Sequence, residues 1–339
     1  MSKPVAIAID AMGGDSGPAV VVEGVRIALE RNARLHLTLV GDEDTVKAEM
    51  EKHGLQPSSR LHIHHTSEVV AMDDPPSVAM RNKKDSSMRV AINLVKSGDV
   101  QACVSAGNTG ALMAIARFVL KTLPGIDRPA LCTTLPALRG HTHMLDLGAN
   151  LDCSAEHLQQ FAIMGATLAE AVDNVDKPRV GLLNIGAEEI KGNEQVKTAG
   201  KLLEETEINY IGFVEGNAIY SESVDVVVCD GFVGNVALKT SEGVAGLIGY
   251  YLLEEFKRTI PGKLAGLLAL PIIKSFKKRI DWRQYNGASL LGLKGIVVKS
   301  HGSADAPAFA NAIEVAMIEV DKNVPDMIAA HIEPHLGNE

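Results

Sequence analysis

The sequence predicts an α/β protein of three layers, α/β/α, with a mostly parallel sheet between two layers of helices. Short apolar runs typical of buried strands alternate with helical patterns of about ten residues or more, as in the crossover units of parallel sheets. Hydrophobic residues make up 46% of the 339 residues and aromatic residues only 4%, which is expected where strands are buried on both faces. Since no fixed-period repeat and no long linker interrupts this pattern, we expect residues 1–339 to form a single α/β domain.

The first half of the chain contains four strand-like runs, each followed by a polar turn or loop. They cover residues 5–9, 35–40, 61–65 and 102–105. Apolar residues at helical spacing fill 20–31, 43–53 and 88–97, and a long helix opens at 106–110 and reaches 121. The polar stretch 73–87 predicts a mobile loop with short helical pieces.

The second half begins with two runs, 131–135 and 142–147, whose short polar link predicts an antiparallel element. A helix to about 172 follows, then strands at 180–184, 210–214 and 224–229, with a helix over 193–205. Residues 236–278 are helical, with breaks expected at Pro261-Gly262 and Pro271 because proline disrupts a helix interior. A late strand at 295–298 precedes a closing helix.

Composition excludes several classes of protein. The net charge of −9 argues against a general nucleic-acid binder. Four scattered cysteines form no C-x-x-C pair, which favours a reducing, cytoplasmic compartment. The first residues run directly into a strand, so no signal peptide is expected, and no apolar run reaches the ~18 residues that span a bilayer.

Two strand ends carry the strongest functional signal. Lys191 follows the run 180–184 and Asn235 follows the run 224–229, each beside glycines that let a ligand approach the backbone. In open α/β sheets ligands bind at the carboxyl ends of strands. A cation and an amide donor there predict an anion site that stabilises developing negative charge.

Each of these residues also has a structural interpretation. Lys191 could be a surface lysine paired with Glu188 and Glu189. Asn235 could cap the helix that follows, and a capping amide can still present its NH₂ group. Asp230 could orient one of the two groups.

The first strand ends in a glycine-rich turn. Asp10 is followed by Gly13, Gly14 and Asp15, but the turn matches neither G-x-G-x-x-G nor the P-loop pattern. Direct contact with a ligand and a tight turn that needs a positive φ at glycine are therefore both open.

A second glycine-containing turn opens the helix that reaches residue 121. Asn108, Thr109 and Gly110 either bind an anion at the helix N-terminus or form an ordinary N-cap. We favour the anion site, because we expect the other loops to lie at the same edge of the sheet.

The sequence offers no covalent nucleophile, since it has no G-x-S-x-G elbow and no marked Cys–His pair. The histidine groups at 62–65 and 141–143 are interpreted as solvent-exposed residues of strand ends, because no nearby ligand completes a metal site. We therefore expect no metal and no cofactor. Direct transfer onto an ionised acceptor such as inorganic phosphate needs neither, because positioning and electrostatics do most of the work.

Eight segments together resemble the bacterial phosphate acyltransferase (PlsX) family over nearly the full chain. They are residues 10–15, 105–110, 145–150, 184–186, 191–193, 230–235, 285–288 and 299–302. The resemblance implies a fold similar to phosphotransacetylases and isopropylmalate dehydrogenases, a homodimer, and Lys191 and Asn235 as the catalytic pair. It also implies that the matching loops bind substrate through Asp10, Gly13, Gly14, Asn108, Thr109, Gly110, Asn150, Asp230 and His301.

The reaction implied by this resemblance converts acyl-[acyl carrier protein] and inorganic phosphate into acyl phosphate and free carrier. The product would feed a downstream membrane glycerol-3-phosphate acyltransferase that starts phospholipid synthesis. Two alternatives stay open, namely a phosphotransacetylase that uses acyl-coenzyme A and a non-catalytic membrane scaffold.

Residues 236–283 are expected to form a projecting helical hairpin. Its part 256–283 has eight basic residues and one acidic residue, for a charge of +7 against about −16 for the rest. Interspersed leucines, among them Leu264, Leu267 and Leu268, favour a helix lying on an anionic membrane surface. A dimerisation hairpin and a dock for the acidic carrier protein are the other interpretations. We favour a dimer element whose tip touches the membrane, which makes the enzyme cytoplasmic and peripherally membrane-associated.

Overall fold

A computed structural model describes residues 3–279 and 282–333. Asp281, the acidic residue of the basic segment, lies outside the described residues, as do the side chains of Lys277, Lys278 and Arg279. Among the helices described, none combines the length and the apolar character needed to cross a membrane.

Strands and helices alternate along most of the chain. The strands are β1 (Val5–Asp10), β2 (Leu35–Gly41), β3 (Leu61–His65), β4 (Ala102–Ser105), β5 (Ala130–Pro136), β6 (His141–Leu145), β7 (Val180–Leu183), β8 (Tyr210–Val214), β9 (Val226–Val228), β10 (Ala288–Leu291) and β11 (Ile296–Lys299). The helices are α1 (Pro18–Arg31), α2 (Glu43–Lys52), α3 (Pro76–Asn82), α4 (Ser87–Ser97), α5 (Thr109–Leu120), α6 (Ala155–Asp173), α7 (Glu194–Glu204), α8 (Gly231–Lys257), α9 (Ile260–Arg279), α10 (Ala306–Lys322) and α11 (Val324–Ile332).

These strands form one sheet in the order β3-β2-β1-β4-β11-β10-β5-β6-β9-β7-β8. The β1–β2, β1–β4, β4–β11 and β2–β3 pairs are parallel, as are the pairs among β6, β9, β7 and β8. The three central junctions, β11–β10, β10–β5 and β5–β6, are antiparallel. The predicted mostly parallel α/β sheet is thus confirmed, as is the predicted antiparallel β5–β6 pair.

Three antiparallel junctions reverse the strand direction between the two halves of the sheet. The strands β1, β4 and β11 therefore run opposite to β6, β9 and β7, and their carboxyl ends point in opposite directions along the strands. By strand direction, the loops of the two halves therefore leave opposite edges of the sheet, which corrects the expectation of one shared edge, although residues of both halves line the same cavity. Strand β10, which the sequence pattern did not reveal, supplies one of the reversals.

Alternate residues of the central strands pack against helices on the two faces. Ile7, Val104 and Val298 pack on α1 and α10, whereas Ala8, Cys103 and Val297 join the cluster that includes α4 and α5. In the second half, residues such as Leu145 and Val226 pack on α6, α7 and α11. This two-sided burial confirms the three layers.

The long helical segment differs in detail from the sequence expectation. Helix α8 ends at Lys257 and α9 starts at Ile260, so the break lies just before Pro261. The break expected at Pro271 is wrong, because Pro271 lies inside α9.

One fully buried carboxyl lies between α10 and the sheet. The Ser289 hydroxyl on β10 donates a hydrogen bond to Glu319, which is 3% exposed. Burial raises the pKa of Glu319 to about 7. Since the folded chain then binds a proton that the unfolded chain has lost, the free energy of unfolding should fall as pH rises from about 5 to 7, by up to about 3 kcal/mol.

Glu319→Gln is expected to flatten that pH dependence, because the amide keeps an acceptor for Ser289 without a charge. Urea denaturation at pH 5 and pH 8 measures the effect. The exposed Glu207→Gln substitution is the control and should keep the wild-type dependence. A Glu319→Gln variant that lost stability with pH as the wild type does would contradict the interpretation.

Candidate active site

The loops after β1, β4 and β11 pack tightly together. The buried carboxylate of Asp10, the last residue of β1, accepts a hydrogen bond of 2.6 Å from the Ser105 hydroxyl at the end of β4. A Cβ on Gly13 would lie 2.7 Å from both Asp10 Oδ2 and the Gly107 nitrogen. Only glycine fits at position 13, so this contact fixes how the two loops meet.

Gly14 adopts the positive φ that the tight-turn interpretation requires, with φ 94°. The next amide, that of Asp15, donates to the Gly302 carbonyl over 2.9 Å and ties the first loop to the loop after β11. Gly13 and Gly14 do not line the cavity described below, so their direct contact with a ligand stays a prediction.

Lys299 is a buried cation at the end of β11. It is 7% exposed, and its ammonium donates to the carbonyls of Ala106 and Ser300. Burial lowers the pKa of Lys299 to about 8, while the nearby Asp10 and Asp15 oppose that change. At neutral pH this lysine is therefore still mostly charged.

The N-terminus of α5 opens beside these loops. Asn108 caps the helix, since its Oδ1 accepts from the Ala111 amide at 3.0 Å and its Nδ2 donates to the Met72 and Asp74 carbonyls. The N-cap interpretation is thus confirmed, and anion binding at this terminus stays a prediction. Gly110 packs on Pro76, where a Cβ would lie at 2.9 Å.

In the second half, a buried carboxylate after β6 accepts hydrogen bonds from neighbouring segments, as Asp10 does in the first half. Asp146 accepts hydrogen bonds from the backbone amides of Leu131, Ala149 and Asn150 and from the Asn150 side chain. Burial raises its pKa, and these donors oppose the shift. The Asn150 amide also donates to the Pro129 carbonyl, so the structure places Asn150 as a support of this loop.

The start of α8 is held against the same loop. The Asp230 carboxylate caps α8 through the Val233 amide at 2.9 Å. A Cβ on Gly234 would lie 1.9 Å from the Asp146 carbonyl oxygen, so the helix approaches as closely as only glycine allows. Asn235 follows in the helix, exposed and next to Gly148. Asp230, and not Asn235, is therefore the cap of α8, and the orienting role expected of Asp230 stays a prediction.

A cavity of about 420 Å³ joins the two halves. Residues of the first half that line it include Asp15, Thr109, Lys299 and His301, and those of the second half include Gly148, Asn235, Lys239 and Glu242. The Lys239 ammonium lies 2.8 Å from Glu242 and 3.4 Å from His301 Nε2. Burial and the Lys239 charge lower the pKa of His301. Two lysines and an asparagine amide therefore line one chamber together with two carboxylates, Asp15 and Glu242. An anion bound there would take its donors from Lys239, Lys299 and Asn235.

Lys191 lies outside this cavity. It is exposed on the loop between β7 and α7, with its amide donating to the Glu188 carbonyl. The ion pairs of the described residues include none between Lys191 and Glu188 or Glu189. Because β7 pairs directly with β9, the loop that carries Lys191 and the helix that carries Asn235 follow neighbouring parallel strands.

A second cavity of about 780 Å³ continues from the first beneath the hairpin. The two share Leu135, Pro136, Leu238, Glu242 and His301. Side chains of α8 and α9 make the wall of the second cavity mostly apolar, among them Leu252, Leu253, Ile273 and Phe276.

Sequence reasoning missed Lys239 and Lys299 as site residues. A signal for Lys299 was present, because a lysine directly after Ile296-Val297-Val298 stands in an otherwise apolar strand. Such a lysine needs either a partner or a cavity, since an isolated charge is costly to bury. Lys239 gave no signal, since it resembles any lysine on an exposed helix.

Solved structures with this architecture include two phosphotransacetylases. The enzyme from Streptococcus pyogenes superposes with a TM-score of 0.63 at 18% identity, and EutD from Staphylococcus aureus with 0.61 at 15%. Each comparison covers 94% of both chains. At these identities the likeness shows the fold, and it agrees with the fold expected from the sequence.

Curated relatives are far more similar in sequence. Proteins named phosphate acyltransferase from Alkalilimnicola ehrlichii and Halorhodospira halophila are 62% and 60% identical, covering 99% of this chain and 98% of theirs. A protein of the same name from Legionella pneumophila is 58% identical, and the match again covers 99% of this chain and 98% of that protein.

A family model described as "Fatty acid synthesis protein" matches residues 5–327. This match and the full-length relatives agree with the family resemblance of the eight sequence segments. The chain belongs to the bacterial phosphate acyltransferase family and is an acyltransferase.

Proposed function

We propose that this enzyme transfers an acyl group from an acyl-[acyl carrier protein] to inorganic phosphate, an early step of phospholipid synthesis. The observation that supports it is the junction of the two cavities. A chamber with Lys239, Lys299 and Asn235 suits phosphate, and the adjoining apolar cavity suits an acyl chain. The reacting carbonyl would then lie where the cavities meet, near His301.

The transfer needs no nucleophile from the protein. A phosphate oxygen bonds to the thioester carbonyl carbon, the carbon–sulfur bond breaks, and the leaving sulfur takes up a proton. Phosphate is already ionised near pH 7, so the protein has to position it and stabilise the oxyanion that forms at the carbonyl. Cations in a partly dehydrated chamber strengthen both effects.

We assign separate roles to the proposed catalytic pair. Asn235, which lines the cavity from α8, donates its amide to the carbonyl oxygen as that oxygen becomes negative. Lys191, on the loop after the neighbouring strand, neutralises phosphate as it enters, and the helix N-terminus at Thr109 contributes further donors. Asp10, Gly13, Gly14, Asn150 and Asp230 act by holding the loops that form the chamber.

The donor is tested by supplying phosphate with either acyl-[acyl carrier protein] or acyl-coenzyme A. Acyl phosphate is trapped with hydroxylamine and quantified as the hydroxamate. We expect turnover with the carrier-bound donor. Faster turnover with acyl-coenzyme A would instead show phosphotransacetylase activity. If neither donor gave acyl phosphate, the remaining interpretation would be the non-catalytic membrane scaffold.

Asn235→Ala is expected to lower kcat by about 10² to 10³, the usual cost of removing one oxyanion donor. The measurement is hydroxamate formation at saturating donor and phosphate. Asn217→Ala, which changes an exposed asparagine outside both cavities, should leave kcat at the wild-type value. Normal turnover by Asn235→Ala would exclude this residue as the donor.

Lys191→Met is expected to raise the KM for phosphate at least about tenfold, because a lost charge contact weakens anion binding by 1.4 kcal/mol or more. Lys197→Met, on the adjacent helix α7, is the matched control. If the KM for phosphate stayed the same in both variants, Lys239 and Lys299 would be left to hold the anion without Lys191.

We also propose that the hairpin of α8 and α9 is a dimer and membrane element. Val236, Val244, Leu247, Ile248 and Tyr251 are exposed at helical spacing on α8, which suits packing against a second copy. On α9, Leu264, Leu267, Leu268 and Ile272 are 61–83% exposed. The exposed Lys263 and Lys274 accompany them, a combination that suits an anionic lipid surface.

Leu267→Glu is expected to reduce co-sedimentation with anionic liposomes, because it places a charge on the apolar side of α9. Leu151→Glu is the matched control, since Leu151 and Leu267 are both 65% exposed and Leu151 is remote from the hairpin in sequence. Equal pelleting of wild type and both variants would count against membrane contact by α9.

A further inference from the structure

A cluster of two histidines and an aspartate lies on the face of the sheet away from the candidate active site. His141 Nε2 lies 2.9 Å from Asp173 Oδ1, and His143 Nε2 lies 2.7 Å from Asp173 Oδ2. The ligand atoms of all three residues lie within 4.8 Å of one another. The sequence suggested exposed histidines here because the aspartate is 30 residues from His143 and only the fold brings it close.

Regular secondary structure holds all three side chains in place. His141 and His143 alternate along β6 and point to the face that Leu145 shares with the α6 cluster. Asp173 is the last residue of α6. Sites on strands and helices hold their geometry better than sites on loops. The short distances between the three side chains therefore do not depend on a flexible segment.

The opposite ring nitrogen of His143 is also occupied. Thr134 Oγ1, on the paired strand β5, lies 3.2 Å from His143 Nδ1. Metal-binding histidines usually hydrogen-bond through the nitrogen that does not bind the metal, which fixes the ring and its tautomer. Thr134 and His143 form such a pair.

Room for an ion and its remaining ligand is present beside the cluster. A cavity of about 180 Å³ is lined by the three residues and by Thr134, Ser289 and Glu319. The side chains of His141 and Asp173 are 30% and 21% exposed, whereas that of His143 is 4% exposed. An ion can therefore enter past His141 and keep an open position toward the cavity.

We propose that His141, His143 and Asp173 bind one divalent transition-metal ion, with zinc the expected member of that class. Two imidazoles and one carboxylate with an open fourth position form a known zinc ligand set, and imidazole favours zinc over magnesium or calcium. For zinc to bind, each Nε2 must give up the hydrogen that it donates to Asp173. A neutral imidazole then carries its hydrogen on Nδ1, which in His143 faces Thr134 Oγ1, whereas a protonated imidazole releases one proton to solvent.

The required movement is small. Tetrahedral zinc with bonds of about 2.0–2.1 Å separates its ligand atoms by roughly 3.3 Å, against 2.7 and 2.9 Å for the two hydrogen bonds. Side-chain rotation of Asp173 at the end of α6 can supply the difference of about half an ångström. The metal would then join α6 to β6.

The neighbouring strand β5 separates the metal cluster from the candidate active site. Thr133 lines the active-site cavity, whereas the next residue, Thr134, lines both that cavity and the one beside the cluster. Tyr285 and Gly287 also line both cavities. The metal is thus placed to stabilise one wall of the active-site cavity without touching substrate.

Cobalt titration of the full-length, chelator-treated protein tests the proposal, because tetrahedral Co²⁺ with nitrogen and oxygen ligands has intense visible absorption. We expect saturation at one equivalent and displacement of the signal by Zn²⁺. His141→Gln and Asp173→Asn should weaken binding at least about 100-fold, and Thr134→Val about 10- to 100-fold, as for loss of an orienting partner. Zinc should raise the Tm of wild type but not of His141→Gln.

His62 and His64 provide a matched control, since they also alternate along a strand, β3, but are exposed and have no place in the cluster. The double variant His62→Gln/His64→Gln should bind Co²⁺ as wild type does. Absence of saturable binding by the wild type would overturn the proposal, as would equal weakening in this double variant. If His141→Gln did not fold, the wild-type titration and Thr134→Val would decide.

Discussion

The buried carboxylate of Asp146 is the interaction on which the candidate site depends. Its hydrogen bonds reach β5 through Leu131 and the loop after β6 through Ala149 and Asn150. Burying a charge is costly unless donors surround it, and here four donors do so. The α8 backbone packs on the same loop at Gly231 and Gly234, so the position of Asn235 follows from this carboxylate.

The alternation of strands and helices could be predicted from the sequence because periodicity is a local property. Strand direction and order could not, since nothing within residues 288–291 states that they pair with residues 130–132. The sequence predicted a tight turn that needs a positive φ at glycine, and Gly14 has such a φ. Asn150 and Lys239 show the limit, because a side chain that supports a loop and one that lines a cavity cannot be told apart in the sequence until their neighbours are known.

The position of the hairpin fits the chemistry of an amphiphilic product. Its two helices form the wall of the apolar cavity, and their outer leucines are exposed. In the reaction that we propose, the acyl phosphate would leave a cavity lined by α8 and α9, the helices that we also propose for the dimer and the lipid surface. Release and delivery would then happen at one place, with little exposure of the acyl chain to water.

The sheet order has a consequence for how the chain folds. Strands β11 and β10 lie between β4 and β5, so residues near the end of the chain join its two halves. Until residue 299 leaves the ribosome, β4 and β5 present unpaired edges of the kind that associate with other chains. Closing pairs as distant as Ala102 and Ile296 is slow by its topology. The chamber is lined by residues of both halves, so it needs β10 and β11 in place between β4 and β5.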